Sequence, residues 1–331
     1  MEKPLPDNVV YSTIGVGHFP KFGIDLGWLP GRCFMSKFFS PILDVHRDVS
    51  YCVGGFGEGL DHPECVAWGC DGYAYAGGEA GQIYRIDIEN GVFEQFAETP
   101  GFVGGICQDG SRNLYACSSG SVFRITPQGF AEVYSRGSES VDMTTPNYPV
   151  FGPDGSLYVS DSGEWGQDNG RIFRVSPTGE TEVWSEDVRT FPNGLAISPG
   201  GDFLYVAVSL NKPRIERISI APDGSSGNVE GVTFVPGSVP DGLAFDNRGD
   251  LYISCYRPDR IYRLTATCDL EILADDLEGT LMAAPTNIAF CGNDRKDFLS
   301  ANLGRWHISR YDLSEIGNPE GAALNYPALM I

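Results

Sequence analysis

The stretch Pro240–Ser254, PDGLAFDNRGDLYIS, decides how the whole chain is read. Gly242 to Phe245 is a short apolar run, Asn247 to Gly249 a turn, and Asp250 to Ser254 a second, alternating run. Val, Ile, Tyr and Phe suit a pleated, half-buried surface, whereas Gly, Asn and Asp accept the backbone angles of tight turns. Ile261 to Leu264 and Glu271 to Leu273 add two further runs, so the unit has four strands. It recurs. Anchored on the turns at Asp71-Gly72, Asp109-Gly110, Asp154-Gly155, Gly200-Gly201, Arg248-Gly249 and Asn293-Asp294, the units open at Glu64, Phe102, Asn147, Asn193, Asp241 and Asn287. Successive openings lie 38, 45, 46, 48 and 46 residues apart. Short β segments repeated with a period in the forties predict an all-β protein, a six-bladed β-propeller with four-stranded antiparallel blades.

The sixth unit, Asn287 to Leu313, shows only three clear strands. Residues 47–53 precede Glu64 much as an outer strand precedes each later opening, so they are expected to complete the last blade and close the ring. Closure removes exposed strand edges. The propeller is assigned to 43–331. Residues 1–42, with Phe19, Phe22, Trp28, Leu29, Phe34, Phe38 and Phe39, are read as an N-terminal extension packed on it.

The chain carries 23 basic and 44 acidic residues, a formal charge of -21, which repels nucleic acid and anionic membrane. A small molecule is the expected partner, and composition is silent on oligomeric state. Met1 to Gly17 lacks a signal-peptide pattern and no stretch has the roughly 18 apolar residues of a membrane span, so a cytoplasmic location is expected. Nine cysteines, without a Cys-x-x-Cys pair, are read as reduced and structural, those at Cys70, Cys107, Cys117, Cys255 and Cys291 lying in or beside strands.

In a propeller the innermost strands line a central channel, so a residue repeated at the same strand position becomes a cluster. Glu64, Asn147, Asn193 and Asp241 are thereby expected to meet on the axis. Two carboxylates and two amide carbonyls are hard oxygen ligands whose charge balances a divalent cation; calcium fits best, with magnesium, manganese or zinc as alternatives. Taken singly, Asn and Asp at a strand entrance are turn caps more often than ligands. Taken together, a Glu in a crowded channel calls for a counter-charge. Asn287 is read as support for the ligands, a ligand to a second ion, a turn residue or a substrate contact, and Phe102 as a wall of the site.

The loops between second and third strands surround the same mouth. They hold Glu79, Trp165, Gln167, Asn211, Tyr256, Arg257, Asn302, Arg305 and Trp306. Such a bowl suits a compact oxygenated ligand, with Arg257 or Arg305 pairing a carboxylate. Of the four histidines only His62, two residues before Glu64, is placed to reach it. The chain has neither a nucleophile elbow nor a phosphate-binding loop.

The segments His62-Pro63-Glu64, Pro146-Asn147, Phe191-Pro192-Asn193-Gly194-Leu195-Ala196, Val239-Pro240-Asp241-Gly242-Leu243-Ala244-Phe245 and Pro285-Thr286-Asn287-Ile288-Ala289-Phe290 resemble the motifs of the senescence marker protein (regucalcin), gluconolactonase and luciferin-regenerating enzyme family over roughly residues 45–313. The resemblance implies a six-bladed propeller holding a divalent metal through Glu64, Asn147, Asn193 and Asp241. It further implies lactone or ester hydrolysis, with Asp241 as the base or nucleophile and Asn147 orienting the substrate oxygen. Thr145 and Tyr148 stand where sugar-lactone members often carry a basic residue and an Asp, which leaves room for a less polar lactone or ester, and Tyr148 is read as a substrate contact. Phosphotriester hydrolysis, a non-hydrolytic cyclase or condensing reaction, and calcium or ligand binding without turnover are the alternative functions.

Overall fold

The computed structural model describes residues 40–55 and 59–328, so the expectation of an extension over 1–42 lies almost wholly outside the described residues. Six four-stranded antiparallel sheets form the blades of the expected propeller. Their inner strands are Cys65–Trp68, Val103–Gln108, Pro146–Phe151, Pro192–Ile197, Pro240–Phe245 and Pro285–Cys291. Each packs against the next, and the sixth returns to the first. Val49–Val53 pairs with Ile308–Tyr311 as the outer strand of blade six, closing the ring as expected.

The blades adhere through six apolar clusters, one at each junction. Between blades four and five, for example, Ala207 and Ile215 meet Leu243, Ile253 and Tyr262. Between blades six and one, Leu299 and Ile308 meet Val66 and Ala76. Inside a blade the repeated turn is self-capped. Asp109 accepts the amides of Ser111 and Asn113 and also the Tyr115 hydroxyl, and Asp246 treats Arg248, Asp250 and Tyr252 in the same way. In these two blades an Asp therefore sets the turn and anchors the tyrosine of the following strand.

Crowding at the axis explains the glycine that follows Asn193 and Asp241. A Cβ on Gly194 would lie 2.1 Å from the Asp241 carbonyl oxygen, and one on Gly242 would lie 2.7 Å from the Asn287 Cα. Only a residue without a side chain lets neighbouring inner strands approach this closely.

After a 3-10 turn at Ser314–Ile316 the chain crosses the mouth of the channel opposite Glu64. Ala322 donates its amide to the Phe245 carbonyl, the Asn325 amide group donates to Phe151, the Tyr326 hydroxyl donates to Trp68, and Pro327 accepts from Gly110. This strap covers a mainly apolar cavity of about 120 Å³, lined by residues including Ile106, Tyr148, Leu195, Leu243, Phe290 and Leu324. The eight described cysteines are free thiols, although Cys70 is exposed rather than packed against a strand. Among the described residues no helix is long and apolar enough to cross a membrane.

Candidate functional site

Every inner strand from blade two to blade six has a register shift at its entrance, between Val103 and Ile106, Pro146 and Pro149, Pro192 and Leu195, Pro240 and Leu243, and Pro285 and Asn287. Such bulges re-aim side chains. Asn147, Asn193 and Asp241 lie inside them, each directly after a proline that supplies no amide to the ladder. Glu64 stands just before its own strand, with its amide on the Gly77 carbonyl at 3.0 Å.

The entrances are held by hydroxyl groups from neighbouring blades. Ser162 donates to the Pro192 carbonyl at 2.8 Å, Ser209 to Pro240 at 2.7 Å, Ser254 to Thr286 at 2.9 Å, and Thr286 to Glu64 at 2.7 Å. Ser209 also accepts from the Asn193 side-chain nitrogen at 3.2 Å, which fixes the amide with its oxygen free. Asp161, fully buried, receives the amides of Thr144 and Thr145 and so sets the approach to Asn147.

Glu64, Asn193, Asp241 and Asn287 are buried, and Asn147 is half-buried. Glu64 Oε2, Asn147 Oδ1, Asn193 Oδ1, Asp241 Oδ1 and both polar atoms of the Asn287 amide are inaccessible to solvent and have no hydrogen-bond partner. A folded chain rarely leaves so many acceptors unsatisfied in one place. Burial, and then the charge of Asp241, push the Glu64 carboxyl well above its ordinary range, with Thr286 opposing. Burial does the same to Asp241, against the Asn193 amide. Two carboxylates so placed require a compensating positive charge to remain ionised together. The donor set is all oxygen with a charge of minus two, which fits calcium or magnesium far better than a thiolate-seeking metal.

Asn287 is displaced in register from the others: Thr286, not Asn287, follows the proline of blade six, and it spends its hydroxyl on Glu64. The Asn287 amide nevertheless faces blade five, since a Cβ on Gly242 would come within 2.9 Å of its oxygen.

Around the mouth, Phe102, Trp165, Tyr256, Arg257 and Arg305 are exposed, as are Glu79, Gln167, Asn211 and Trp306. Arg257 is already paired with Asp259 and lies over the Tyr256 ring, 5.2 Å from its centroid. Arg305 Nε donates to the Gly279 carbonyl at 3.2 Å. Asn302 is set apart from this group: it is buried, accepts from Ala283 and donates to His307 and Ser309, so it braces its loop. Tyr148 is likewise set apart, being buried in the junction between blades three and four and lining the cavity under the strap. His62 Nδ1 lies 3.1 Å from Asp61 Oδ1 and 3.3 Å from Glu79 Oε2.

Sequence reasoning missed Asp61, Asp161 and the bracing hydroxyls of Ser162, Ser209 and Ser254. For Asp161, Ser162 and Ser209 a signal exists, a polar residue at or just after the end of the second strand, as in LYVSDS (Leu157–Ser162) and LYVAVS (Leu204–Ser209), and Ser254 stands one residue before the end of LYISC (Leu251–Cys255).

A model of the SMP-30/gluconolactonase/LRE-like region matches residues 73–300. Among curated proteins no significant match was found. Solved structures resembling the propeller include a gluconolactonase from Xanthomonas campestris, at 18% identity over 79% of this chain and 88% of that one, with a TM-score of 0.67. A calcium-binding protein, regucalcin, from Agrobacterium tumefaciens is 15% identical over 83% and 95% of the two chains, with a TM-score of 0.67. A luciferin-regenerating enzyme is 18% identical over 81% and 96%, with a TM-score of 0.66. At these identities the structural likeness speaks for the fold, and the match of the family model across most of the repeat speaks for descent. The chain belongs to the SMP-30/gluconolactonase/LRE-like family.

Proposed function

We propose that this protein is a metal-dependent hydrolase of a lactone or related ester, with Glu64, Asn147, Asn193 and Asp241 holding a divalent cation, calcium by preference. The observation that carries the reading is the set of buried, partnerless oxygens on those four residues and on Asn287. When bound, the cation supplies charge neutralisation and polarises the carbonyl of the substrate.

Asp241 takes a proton from water as the water oxygen bonds to the acyl carbon. The ring C–O bond then breaks, and the same proton passes to the departing alkoxide, giving a hydroxy acid. Asn147, held by the loop that Asp161 anchors, orients the substrate oxygen.

The test is a panel of lactones, aryl esters and phosphotriesters assayed after chelation and again after calcium is restored. Hydrolysis that is lost and regained with the cation is the expected result. The named calcium-binding neighbour supports a second reading, a cation-binding propeller without turnover, which the same assay with calcium calorimetry separates from the first.

A further inference from the structure

Among the described residues, four large aromatic side chains are exposed on four different blades at the Glu64 end of the channel. Phe102 is 42% exposed, Trp165 72%, Tyr256 38% and Trp306 48%. Isolated apolar side chains on a surface need no explanation, but several around one opening mark a binding surface.

Their attachment ties them to the site. The Trp165 ring packs edge-on against Phe191, with centroids 5.0 Å apart, two residues before Asn193. Tyr256 donates its amide to the Val239 carbonyl, and Val239 donates to Arg257, two residues before Asp241. Trp306 accepts the Leu60 amide through its carbonyl, while its ring lies 5.8 Å from that of His62, two residues before Glu64. Phe102 immediately precedes the inner strand of blade two. Trp165, Tyr256 and Trp306 thus contact the segments that deliver Asn193, Asp241 and Glu64.

Several polar groups of the same rim are already engaged with one another. Asp259 takes Arg257, the Gly279 carbonyl takes Arg305 Nε, and His62 sits between Asp61 and Glu79. Gln167 and Asn211 supply amides only on the side of blades three and four. A polyhydroxylated ring needs a dense set of free donors and acceptors, because each hydroxyl buried without a partner weakens binding. An alkyl or aryl group needs ring faces.

Building on the hydrolase reading, we propose that the substrate is a lactone or ester of low polarity, whose alkyl or aryl substituent lies against Phe102, Trp165, Tyr256 and Trp306 while its carbonyl reaches the axis. The experiment uses the full chain with calcium and measures two things for γ-lactones of increasing side-chain length and for glucono-δ-lactone. One is kcat/KM, and the other is binding, followed by calorimetry and by quenching of tryptophan fluorescence.

Affinity and kcat/KM are expected to rise about two- to fourfold per added methylene and to exceed those for glucono-δ-lactone. Trp165→Ala and Trp306→Ala should flatten that slope, and Trp165→Phe should restore it. A flat slope, or a preference for the sugar lactone, would overturn the inference. If binding rises with chain length while none of the compounds is hydrolysed, the ligand class stands and the hydrolase reading falls.

Discussion

The Thr286 hydroxyl donates a 2.7 Å hydrogen bond to the main-chain carbonyl of Glu64, joining residues 222 positions apart. It is the link by which the last blade grips the first at the site itself, and it ends the series that Ser162, Ser209 and Ser254 begin. Ring closure and the placement of Glu64 are therefore one structural event.

Removing that donor while keeping its shape tests the coupling. Thr286→Val is expected to cost about 1–2 kcal/mol in chemical denaturation, the penalty for a buried carbonyl left unpaired, and to weaken calcium binding several-fold in calorimetry. Thr286→Ser should retain both. Unchanged calcium affinity in the valine variant would separate closure from ligand placement.

The proposed hydrolase reading divides the carboxylates in role. Glu64→Gln removes half the negative charge of the site, so the rise in melting temperature on adding calcium should largely disappear. In chelator this variant should melt no lower than the parent, because it lacks one poorly solvated charge. Asp241→Asn should lower kcat by about 10²-fold or more with an unchanged circular dichroism spectrum. Substantial turnover in that variant would remove Asp241 as the base.

Gly194→Ala puts a methyl group where the Asp241 carbonyl oxygen is 2.1 Å away. A stability loss of about 1–3 kcal/mol is expected, together with weakened calcium binding, as blades four and five are forced apart. Gly231→Ala is the control, since nothing lies within 4 Å of its added carbon. Equal effects from the two substitutions, read by denaturation and calorimetry, would contradict the close-approach explanation.

Asp276 gathers five backbone amides, from Glu278, Gly279, Thr280, Leu281 and Met282, and so shapes the loop that leads to Asn287. Burial raises its pKa, but those amides outweigh it and hold the carboxyl below its ordinary value. The sign follows from linkage: its stabilisation is fully present above the unfolded value of about 4 and is lost as pH falls through the lower folded value. Asp276→Asn is expected to cost about 2 kcal/mol at pH 7 and to show a smaller loss of stability on acidification than the parent. Parallel pH profiles for the two proteins would argue against it.

Blade number, ring closure and strand entrances were readable because the turns repeat with chemistry that has one structural meaning. Asp109 and Asp246 cap their turns and hold Tyr115 and Tyr252 of the strands that follow. The entrance bulges were not readable, since a register shift leaves no composition of its own. They also explain Tyr148. Beside Asn147 it looks like a neighbour in the site, yet its ring belongs to the junction with blade four. The offset between Thr286 and Asn287 was hidden for the same reason. Residues 314–327 lack any alternating pattern, because a segment that crosses strand ends borrows its hydrogen bonds one at a time from Phe245, Phe151, Trp68 and Gly110.

That crossing segment gives the channel a direction. With Asn325 and Tyr326 fastened across one end, traffic to and from the axis passes the aromatic rim in both senses. Under the proposed hydrolase reading, a departing hydroxy acid and an arriving ester share a single doorway, so product is expected to inhibit competitively and its release to bear on the turnover rate.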